Sequence, residues 1–386
     1  MSAARIYLDH AATTPLAADV LEAMQPYFAR DGFNPSSIHA EGRRARAAID
    51  SARERIAVIL HCKPKEIIFT ASGTEADNMA IIGAARAARA RGKHVVTSAI
   101  EHHAVLHTVG ALRDEGFEVT LLPVDSDGVV DRTRFAEALR DDTILATVMY
   151  ANNEIGTIQP IAQLVEIARA RGIVFLTDGV QAAGTLDLDV TALGVDALAI
   201  SAHKLYGPKG VGALYVRNGT PLSPLIHGGG QERGRRAGTE NVSGVIGMAK
   251  ALELADGARN ATNARVAGLR DTLEAKVTAA VPHVHVNARG VARLPGISSL
   301  AFAGVNAESL LIALDLAGVA ASAGSACAAG SLEASHVIAA LGEAGANGAT
   351  LRLSLGRGTT AEEIERVASL LPSLVASQRE GAALSV

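Results

Sequence analysis

Strand-like apolar runs alternate with amphipathic helical stretches between about residues 45 and 250, and this alternation limits the possible folds most strongly. It is typical of an α/β domain with a mostly parallel sheet. The predicted strands are Glu66–Thr70, Val95–Ser98, Val119–Pro123, Ile144–Tyr150, Ile173–Asp178, Ala197–Ser201 and Gly212–Val216, with helices such as Glu75–Arg91 and Ile161–Arg171 between them. Only a short loop from Lys204 to Gly210 joins the last two strands. A parallel crossover needs a longer connection, so we expect the last strand to run antiparallel.

The pattern changes after about residue 245. A long alanine-rich helical stretch reaches about Ala280, and shorter strand and helix patterns follow it. These predict a smaller α+β domain and lie at Ser298–Phe302, Ala307–Leu316, Leu332–Leu341, Thr350–Leu355 and Ala361–Ala376. We expect a large domain over residues 15–257 and a small domain that joins residues 1–14 to residues 258–386.

Composition argues against several classes of protein. The 386 residues are 48% hydrophobic, enough for a large core, and their net charge of −4 comes without a dense basic stripe, so no nucleic-acid partner is expected. No apolar run reaches the roughly 18 residues of a membrane span, and the first residues lack the apolar stretch of a signal peptide. We therefore predict a cytoplasmic protein. Two cysteines, Cys62 and Cys327, do not suggest a disulfide framework, and no metal site is predicted.

Lys204 ends one apolar run, and Asp178 ends an earlier run that begins at Ile173. Both runs predict buried strands whose carboxyl ends carry a polar residue, where open α/β sheets bind their ligands. A lysine that can form a Schiff base and an aspartate that can keep a pyridine nitrogen protonated are the minimum for pyridoxal phosphate (PLP) chemistry. Taken alone, a lysine at this position is more often a solvated loop residue.

The residues Ser72, Gly73, Thr74 and Glu75 follow the first predicted strand and begin a helix. Ser72 and Glu75 fit a capping box, a purely structural feature. The same helix start offers free backbone N–H groups to a phosphate, with Gly73 permitting close approach and Thr74 adding a hydroxyl.

Polar residues also follow the other predicted strands. His102 could stack on a flat cofactor ring and shuttle protons, or it could be a solvated loop residue. Asn153, after the fourth strand, and Gln181, three residues past Asp178, could lie near a phenolic oxygen of the cofactor. The alternative for Asn153 is a polar turn before Gly156.

Three further features could carry chemistry. The segment 228–241 is rich in glycine and arginine and could reach a phosphate from another subunit. Cys327 lies in the segment 320–331, which has no large apolar side chain to anchor it, so the segment is cheap to move; an inert small cysteine is the alternative. Arg352 lies among apolar neighbours in a predicted strand and could hold a substrate carboxylate or a structural salt bridge.

In order and spacing these segments closely resemble the cysteine desulfurases of the NifS and IscS kind, which are class-V aminotransferase-like PLP enzymes. The resemblance covers nearly the whole chain, and the blocks that carry it are Tyr7–Pro15, Asn34–Ser37, Asn152–Gly156, Ser201–Lys204, Ala237–Asn241 and Arg352–Gly356. One departure is the serine of Thr70–Glu75, which lies one position from its usual place. The resemblance implies PLP fold type I (aspartate aminotransferase-like), with a large α/β domain around a mostly parallel seven-stranded sheet, a smaller α+β domain, and a homodimer.

The resemblance also implies a role for each matching residue. Lys204 would be the Schiff-base lysine, Asp178 would pair with the pyridine nitrogen, and His102 would stack on the ring. The phenolic oxygen would lie near Asn153 and Gln181. The implied phosphate ligands are Gly73, Thr74, Ser201 and His203, with Thr239 of the neighbouring subunit.

The substrate of this family would be L-cysteine, with Asn34 and Arg352 holding its carboxylate. Cys327 would accept the sulfur as a persulfide, leaving L-alanine, and would pass it to an acceptor protein such as an iron–sulfur scaffold. The acceptor itself, which could equally serve tRNA thiolation or nitrogenase assembly, stays open. Two alternatives also remain: a selenocysteine lyase or other class-V PLP enzyme, and a non-catalytic sulfur-transfer scaffold. Cys327 argues against the first, and Lys204, Asp178 and His102 argue against the second.

Overall fold

The structure, a computed structural model, describes residues 5–323, 335–342 and 348–383, with side chains described to residue 380. The strands are β1 (Ile6–Tyr7), β2 (Ile67–Thr70), β3 (His94–Ser98), β4 (Glu118–Leu122), β5 (Thr143–Thr147), β6 (Val174–Asp178), β7 (Ala197–Ser201), β8 (Gly212–Val216), β9 (Val284–Val286), β10 (Ile297–Phe302), β11 (Val319–Ala320) and β12 (Ala349–Ser354). The α-helices are α1 (Ala18–Met24), α2 (Ala40–Ile59), α3 (Gly73–Ala88), α4 (His103–Asp114), α5 (Arg132–Ala138), α6 (Ile161–Ala170), α7 (Val190–Leu193), α8 (Val242–Ala280), α9 (Ala307–Leu316), α10 (His336–Ala340) and α11 (Ala361–Ala383).

The predicted strands of the first half form one seven-stranded sheet in the order β2-β8-β7-β6-β5-β3-β4. Strand β8 runs antiparallel to both β2 and β7, as the short loop before it predicts, and the remaining neighbours are parallel. The prediction for β5 was too long at its end, because the ladder stops at Thr147. Beyond it, the amide of Tyr150 still donates to Asp178 O at 2.8 Å.

Both faces of this sheet are covered, which explains its continuous apolar strands. Alternate side chains of one strand enter different cores, as the period of two requires. In β2, for example, Phe69 packs into the core that also holds Ile56 of α2, whereas Ile68 packs into the core that holds Met79 of α3. The sheet is therefore a rigid middle layer, and its carboxyl edge is left for the loops.

A second, smaller set of strands is built from the two ends of the chain. Strands β12, β10 and β9 form an antiparallel sheet in that order, and β1 pairs with β11 in parallel. The two-residue strands and β9 were not predicted, because so short a run carries little periodic signal. These elements share their own core, which includes Leu8, Phe302 and Leu353. The domain limits at residues 14 and 257 stay a prediction.

The helices of the second half largely match their predicted positions. Helix α9 has the predicted bounds, and α11 continues past the predicted end at Ala376, with Pro372 inside it. Among the described residues, helix α10 begins at His336, and Ser335 caps it with a hydroxyl that accepts from the amides of Val337 and Ile338. The predicted start at Leu332 lies outside the described residues. Within the described residues, no helix combines the length and apolar character needed to cross a membrane.

Candidate active site

A cavity of about 300 Å³ lies at the carboxyl edge of the seven-stranded sheet. Strands β6 and β7 deliver Asp178 and Ser201 to it directly, and the loops after β2, β3 and β5 supply the other walls. Parallel strands place their carboxyl ends together, which is why residues far apart in the chain meet here. The predicted site residues that line this cavity are Gly73, Thr74, His102, Asn153, Asp178, Gln181, Ser201, His203, Lys204 and Arg352.

One end of the cavity is the start of helix α3. The Ser72 hydroxyl accepts from the amide of Glu75 at 3.1 Å, as predicted. The amides of Gly73 and Thr74 lie in the first turn of the helix, where no preceding helical carbonyl is available to them. A Cβ at position 73 would lie 2.6 Å from Cγ2 of Val180, so only glycine fits this wall. The result is a compact, positively polarised cradle.

The capping box is only half formed. The Glu75 carboxylate accepts from the amide of Ala71 at 2.9 Å, not from that of Ser72. It also binds the guanidinium of Arg236, with the Nε donor at 2.8 Å. Glu75 therefore ties the start of α3 to the segment that is rich in glycine and arginine.

The hydroxyl of Ser201 faces the same cradle. It is buried and has no hydrogen-bond partner among the described residues. Leaving a buried hydroxyl unpaired costs free energy, on the order of 1–3 kcal/mol. A ligand with acceptor oxygens, such as a phosphate, would satisfy it, and the Cβ of Ser201 already packs next to Gly73.

Lys204 lies in a short 3₁₀ turn, Ala202–Lys204, that follows β7. Its ammonium group donates to the carbonyl oxygens of Ala11 and Ala12, the latter at 2.8 Å. These carbonyls belong to the N-terminal segment that precedes α1. The contact holds the side chain inside the cavity, so the lysine is not a solvated loop residue.

Asp178 is buried at the end of β6, and its Oδ1 accepts from the amide of Val180 at 2.8 Å. Burial raises the pKa of Asp178 above its usual value, while His102, the Val180 amide and Lys204 pull it back down. A carboxyl held in this balance ionises more readily when a cation is placed beside it. A protonated ring nitrogen in the cavity would be such a cation.

Two further buried carboxyls, Asp77 and Glu101, lie close to Asp178, and neither was among the predicted site residues. Burial, followed by Asp178 and Glu101, raises the pKa of Asp77 well above its usual range. Burial also raises the pKa of Glu101 to about 8, against hydrogen bonds to its Oε1 from Ser98 at 2.5 Å and from the Met149 amide at 2.9 Å. Burial therefore favours the protonated form of both carboxyls.

We expect Glu101 to make the stability of the protein depend on pH. Its folded pKa of about 8 lies above the usual 4.5, so between these values the folded state binds more protons and stability falls as pH rises. Glu101→Gln keeps the Oε1 acceptor but cannot ionise. The melting temperature of the variant minus that of the wild type, both without cofactor, should therefore rise by about 2 °C or more from pH 5 to pH 8. The exposed Glu308→Gln is the control, and a pH-independent difference would contradict the expectation.

His102 is the residue that caps helix α4. Its Nδ1 accepts from the amide of Ala104 at 3.0 Å, so in the neutral ring the proton is on Nε2. Burial lowers the pKa of His102, with Lys204 and His336 acting in the same direction and Asp178 opposing them. The structure thus presents a neutral imidazole with a fixed tautomer to the cavity.

Two other polar side chains are held by the N-terminal segment. Gln181 Nε2 donates to Ala11 O at 2.9 Å, and Nδ1 of His203 lies 3.2 Å from the Thr13 hydroxyl. Burial, followed by Lys204 and Lys209, lowers the pKa of His203 to about 4. His203 is therefore neutral at pH 7 in the structure.

Arg352 is 1% exposed, and its guanidinium group already binds other residues of the protein. One amino group donates to Asn153 O at 2.9 Å, and the other donates to Asp9 Oδ1 at 2.8 Å. Its Nε is buried and lacks a partner among the described residues. The structural salt bridge that the sequence left open is present, and donors remain for a ligand.

Comparison with known proteins places these residues in a family. The sequence model of class-V aminotransferases matches residues 6–367. The cysteine desulfurase IscS of Dictyoglomus turgidum is 50% identical over 376 residues, which cover 97% of this chain and 95% of the relative. The chain belongs to the class-V aminotransferases, and it is a cysteine desulfurase.

Solved structures agree with the assignment. A NifS-like protein superimposes with a TM-score of 0.90 at 35% identity, covering 96% of this chain and 99% of the other. SspA, solved in complex with cysteine, gives a TM-score of 0.81 at 37% identity, with 92% and 100% covered. The predicted fold type I, with its mostly parallel seven-stranded sheet and smaller domain, is confirmed.

Two predicted residues of the desulfurase, Asn34 and Thr239, are described and do not line the cavity. Asn34 lies in an exposed loop before α2, where its Oδ1 accepts from the Ser36 amide at 2.9 Å. Thr239 is exposed, and the single chain does not test a contact across subunits. Cys327 lies outside the described residues. Their roles stay predictions.

The flanks of the Cys327 segment are described, and both contact the cavity walls. Ser322 forms a β-bridge with Arg352, with N–O distances of 3.2 and 2.7 Å. On the other side, the Ser335 hydroxyl donates to Glu154 Oε2 at 2.5 Å. Cys327 is five residues from Ser322, a chain length that spans at most about 18 Å.

Proposed function

We propose that this cysteine desulfurase acts on L-cysteine with PLP held in the cavity over β6 and β7. The observation that carries the proposal is that one cavity, which the start of helix α3 also lines, contains Lys204, Asp178 and the Ser201 hydroxyl. This hydroxyl is buried and has no hydrogen-bond partner among the described residues. An amine, an acid and a phosphate cradle are the separate functions that PLP requires. The similar protein SspA was solved in complex with cysteine, which supports L-cysteine as the substrate.

The residues present fit the cofactor in chemical type. The phosphate would take the amides of Gly73 and Thr74, the Ser201 hydroxyl and the ring of His203. Asp178 would hold the pyridine nitrogen, His102 would cover the ring, and Lys204 would hold the aldehyde carbon. Asn153 and Gln181 would lie near the phenolic oxygen, and Thr239 of a partner subunit would complete the phosphate site in a homodimer. When bound, PLP supplies an electron sink for bonds broken at the substrate's Cα.

The chain's own groups then bind substrate and move protons. Lys204 takes the Cα proton as the base, because its side chain is the amine that the structure holds inside the cavity. Asp178 keeps its charge against the ring nitrogen. His102, whose Nδ1 is occupied by the Ala104 amide, can donate or accept only through Nε2.

Sulfur leaves the substrate by nucleophilic attack. We propose Cys327 as the attacking thiolate, which gains the sulfur as a persulfide while the rest of the substrate becomes L-alanine. The persulfide would pass to an acceptor protein in the cytoplasm, such as an iron–sulfur scaffold.

The substrate carboxylate gives a separable prediction. Arg352 has N–H donors beyond those bound to Asn153 and Asp9, and its burial strengthens charge pairing. Arg352→Lys keeps the charge but loses the planar fork, so KM for L-cysteine should rise by about 10-fold or more. Steady-state kinetics measure this, and the exposed Arg30→Lys is the control. A change in kcat with KM unaltered would count against carboxylate binding.

The proposed function is tested with purified protein, L-cysteine and a reductant. Sulfide and alanine should form in equal yields, and added PLP should give an absorbance band that borohydride removes by fixing the cofactor to Lys204. Supplying selenocysteine separately distinguishes a selenocysteine lyase, for which selenide would form and sulfide would not. A protein that binds no PLP would defeat the proposal.

A further inference from the structure

Four histidine rings form a continuous group at the rim of the cavity. His102 and His103 begin helix α4, with ring centroids 6.2 Å apart. The His103 ring lies 4.9 Å from that of His336, the first residue of α10, and stacks on that of His107 at 5.0 Å. His102, His103 and His336 line the cavity, whereas His107 is exposed. The rings therefore lead from the cavity to solvent.

The hydrogen bonds of the structure fix how two of these rings carry their protons. His336 Nε2 lies 2.9 Å from the carbonyl oxygen of Glu101, which can only accept. The proton of neutral His336 is thus on Nε2, and its Nδ1 is left as a base. His102 has the opposite arrangement, with Nδ1 occupied by the Ala104 amide. In the described part of the chain, no group of His, Cys, Asp and Glu has the arrangement of a metal site.

We propose that His103 and His336 form an imidazole pair that takes up the proton of the attacking thiol and returns it to the product. The inference rests on the proposed function of the cavity. It gives these two residues a part distinct from that of His102, which faces Asp178 and Lys204.

The proton balance of desulfuration calls for such a store. The attacking thiol breaks its S–H bond to become a thiolate, and a ring nitrogen gains that proton. The new S–S bond forms as the C–S bond of the substrate breaks, and the electron pair of that bond stays with the carbon. That carbon later takes a proton to become the methyl group of alanine. One proton is released and one is consumed, so the pair needs no outside acid, oxidant or reductant.

The surroundings of His103 favour its neutral form. Burial lowers the pKa of His103, and His336, His107 and His102 lower it further. From the loop after β5, Glu154 also faces His336; burial raises the pKa of Glu154, while Ser335 and His336 lower it. A ring with a lowered pKa is neutral at pH 7 and loses its function as a base when the pH falls through that pKa.

The test compares a thiol substrate with one that has no thiol. His336→Gln keeps an N–H donor for the Glu101 carbonyl but removes the base, and His103→Gln removes the second ring. Each variant should form sulfide from L-cysteine at least about 10-fold more slowly, and the double variant on the order of 100-fold more slowly. Exchange of the Cα proton of L-alanine in D₂O should stay within about twofold of the wild type, because it needs no thiol chemistry. The exposed His285→Gln is the control.

The pH dependence of sulfide formation distinguishes a base from a residue that only supports the structure. The fall in wild-type sulfide formation toward low pH should flatten in the double variant, since the group that is protonated there has gone. Equal losses in both reactions, no loss in either, or an unchanged acid limb would each overturn the pair. If Lys204→Ala retains both reactions, the cavity itself is not the site and the proposed function fails instead.

Discussion

Lys204→Ala is expected to lower sulfide and alanine formation from L-cysteine by at least about 1,000-fold, because it removes both the covalent hold on the cofactor and the base. The structure places this amine in the cavity, bonded to the carbonyls of Ala11 and Ala12. Product assays measure the loss. Borohydride treatment and peptide mapping measure the missing cofactor adduct.

Lys209→Ala is the matched control, since Lys209 is exposed five residues further along the chain. It should retain the activity and the adduct. Melting temperatures of both variants show whether the loss of two hydrogen bonds from Lys204 has unfolded the N-terminal segment. If Lys204→Ala folds and still yields equal sulfide and alanine, then the lysine has neither proposed role.

The large sheet was predictable because its strands are buried on both faces and give continuous apolar runs. Ile67, Ile68 and Phe69 are all buried, so no polar residue interrupts the signal. The direction of β8 followed from the length of one loop. Strands β1, β9 and β11 were missed because they are only two or three residues long, and β1 and β11 are also distant in sequence, as Ile6 pairs with Val319.

The candidate site was predictable where a residue lies directly after a strand, as with Asp178 and Ser201. It was not predictable where a role depends on burial. Glu101 resembles any loop carboxylate in the sequence, yet it is fully buried beneath Met149 and Ser98. His336 is 233 residues from His103 in the chain, and only the fold brings the rings together. Asn34 and Thr239 match family motifs, but both are exposed in the single chain and neither lines the cavity.

The buried carboxyls around the cavity are expected to affect cofactor binding more than the sulfur-accepting step. Asp77, Glu101 and Asp178 are anionic only at a cost in free energy, and that cost falls when a cation lies beside them. Lys204 and the ring nitrogen of a bound cofactor would be such cations. The proposed attack by Cys327 uses a different group, so we expect that its loss leaves cofactor binding intact.

Cys327→Ser is expected to lower sulfide release by at least about 100-fold, because a hydroxyl does not form the thiolate that attacks sulfur. Cofactor binding should stay intact. The variant should still change the cofactor's absorbance when L-cysteine is added. Absorbance titration with PLP and with L-cysteine measures the retained steps, and sulfide and alanine assays measure the lost one. The described flanks at Ser322 and Ser335 contact the cavity walls, which is the structural support for this position.

Cys62→Ser is the matched control, since it removes the second thiol of the chain. Cys62 packs against the large core, and burial, followed by Glu66, raises its pKa to about 12, so at pH 7 it is not a nucleophile. This variant should release sulfide at the wild-type rate. Normal desulfuration by Cys327→Ser, or a loss confined to Cys62→Ser, would show that the sulfur acceptor has been assigned to the wrong cysteine.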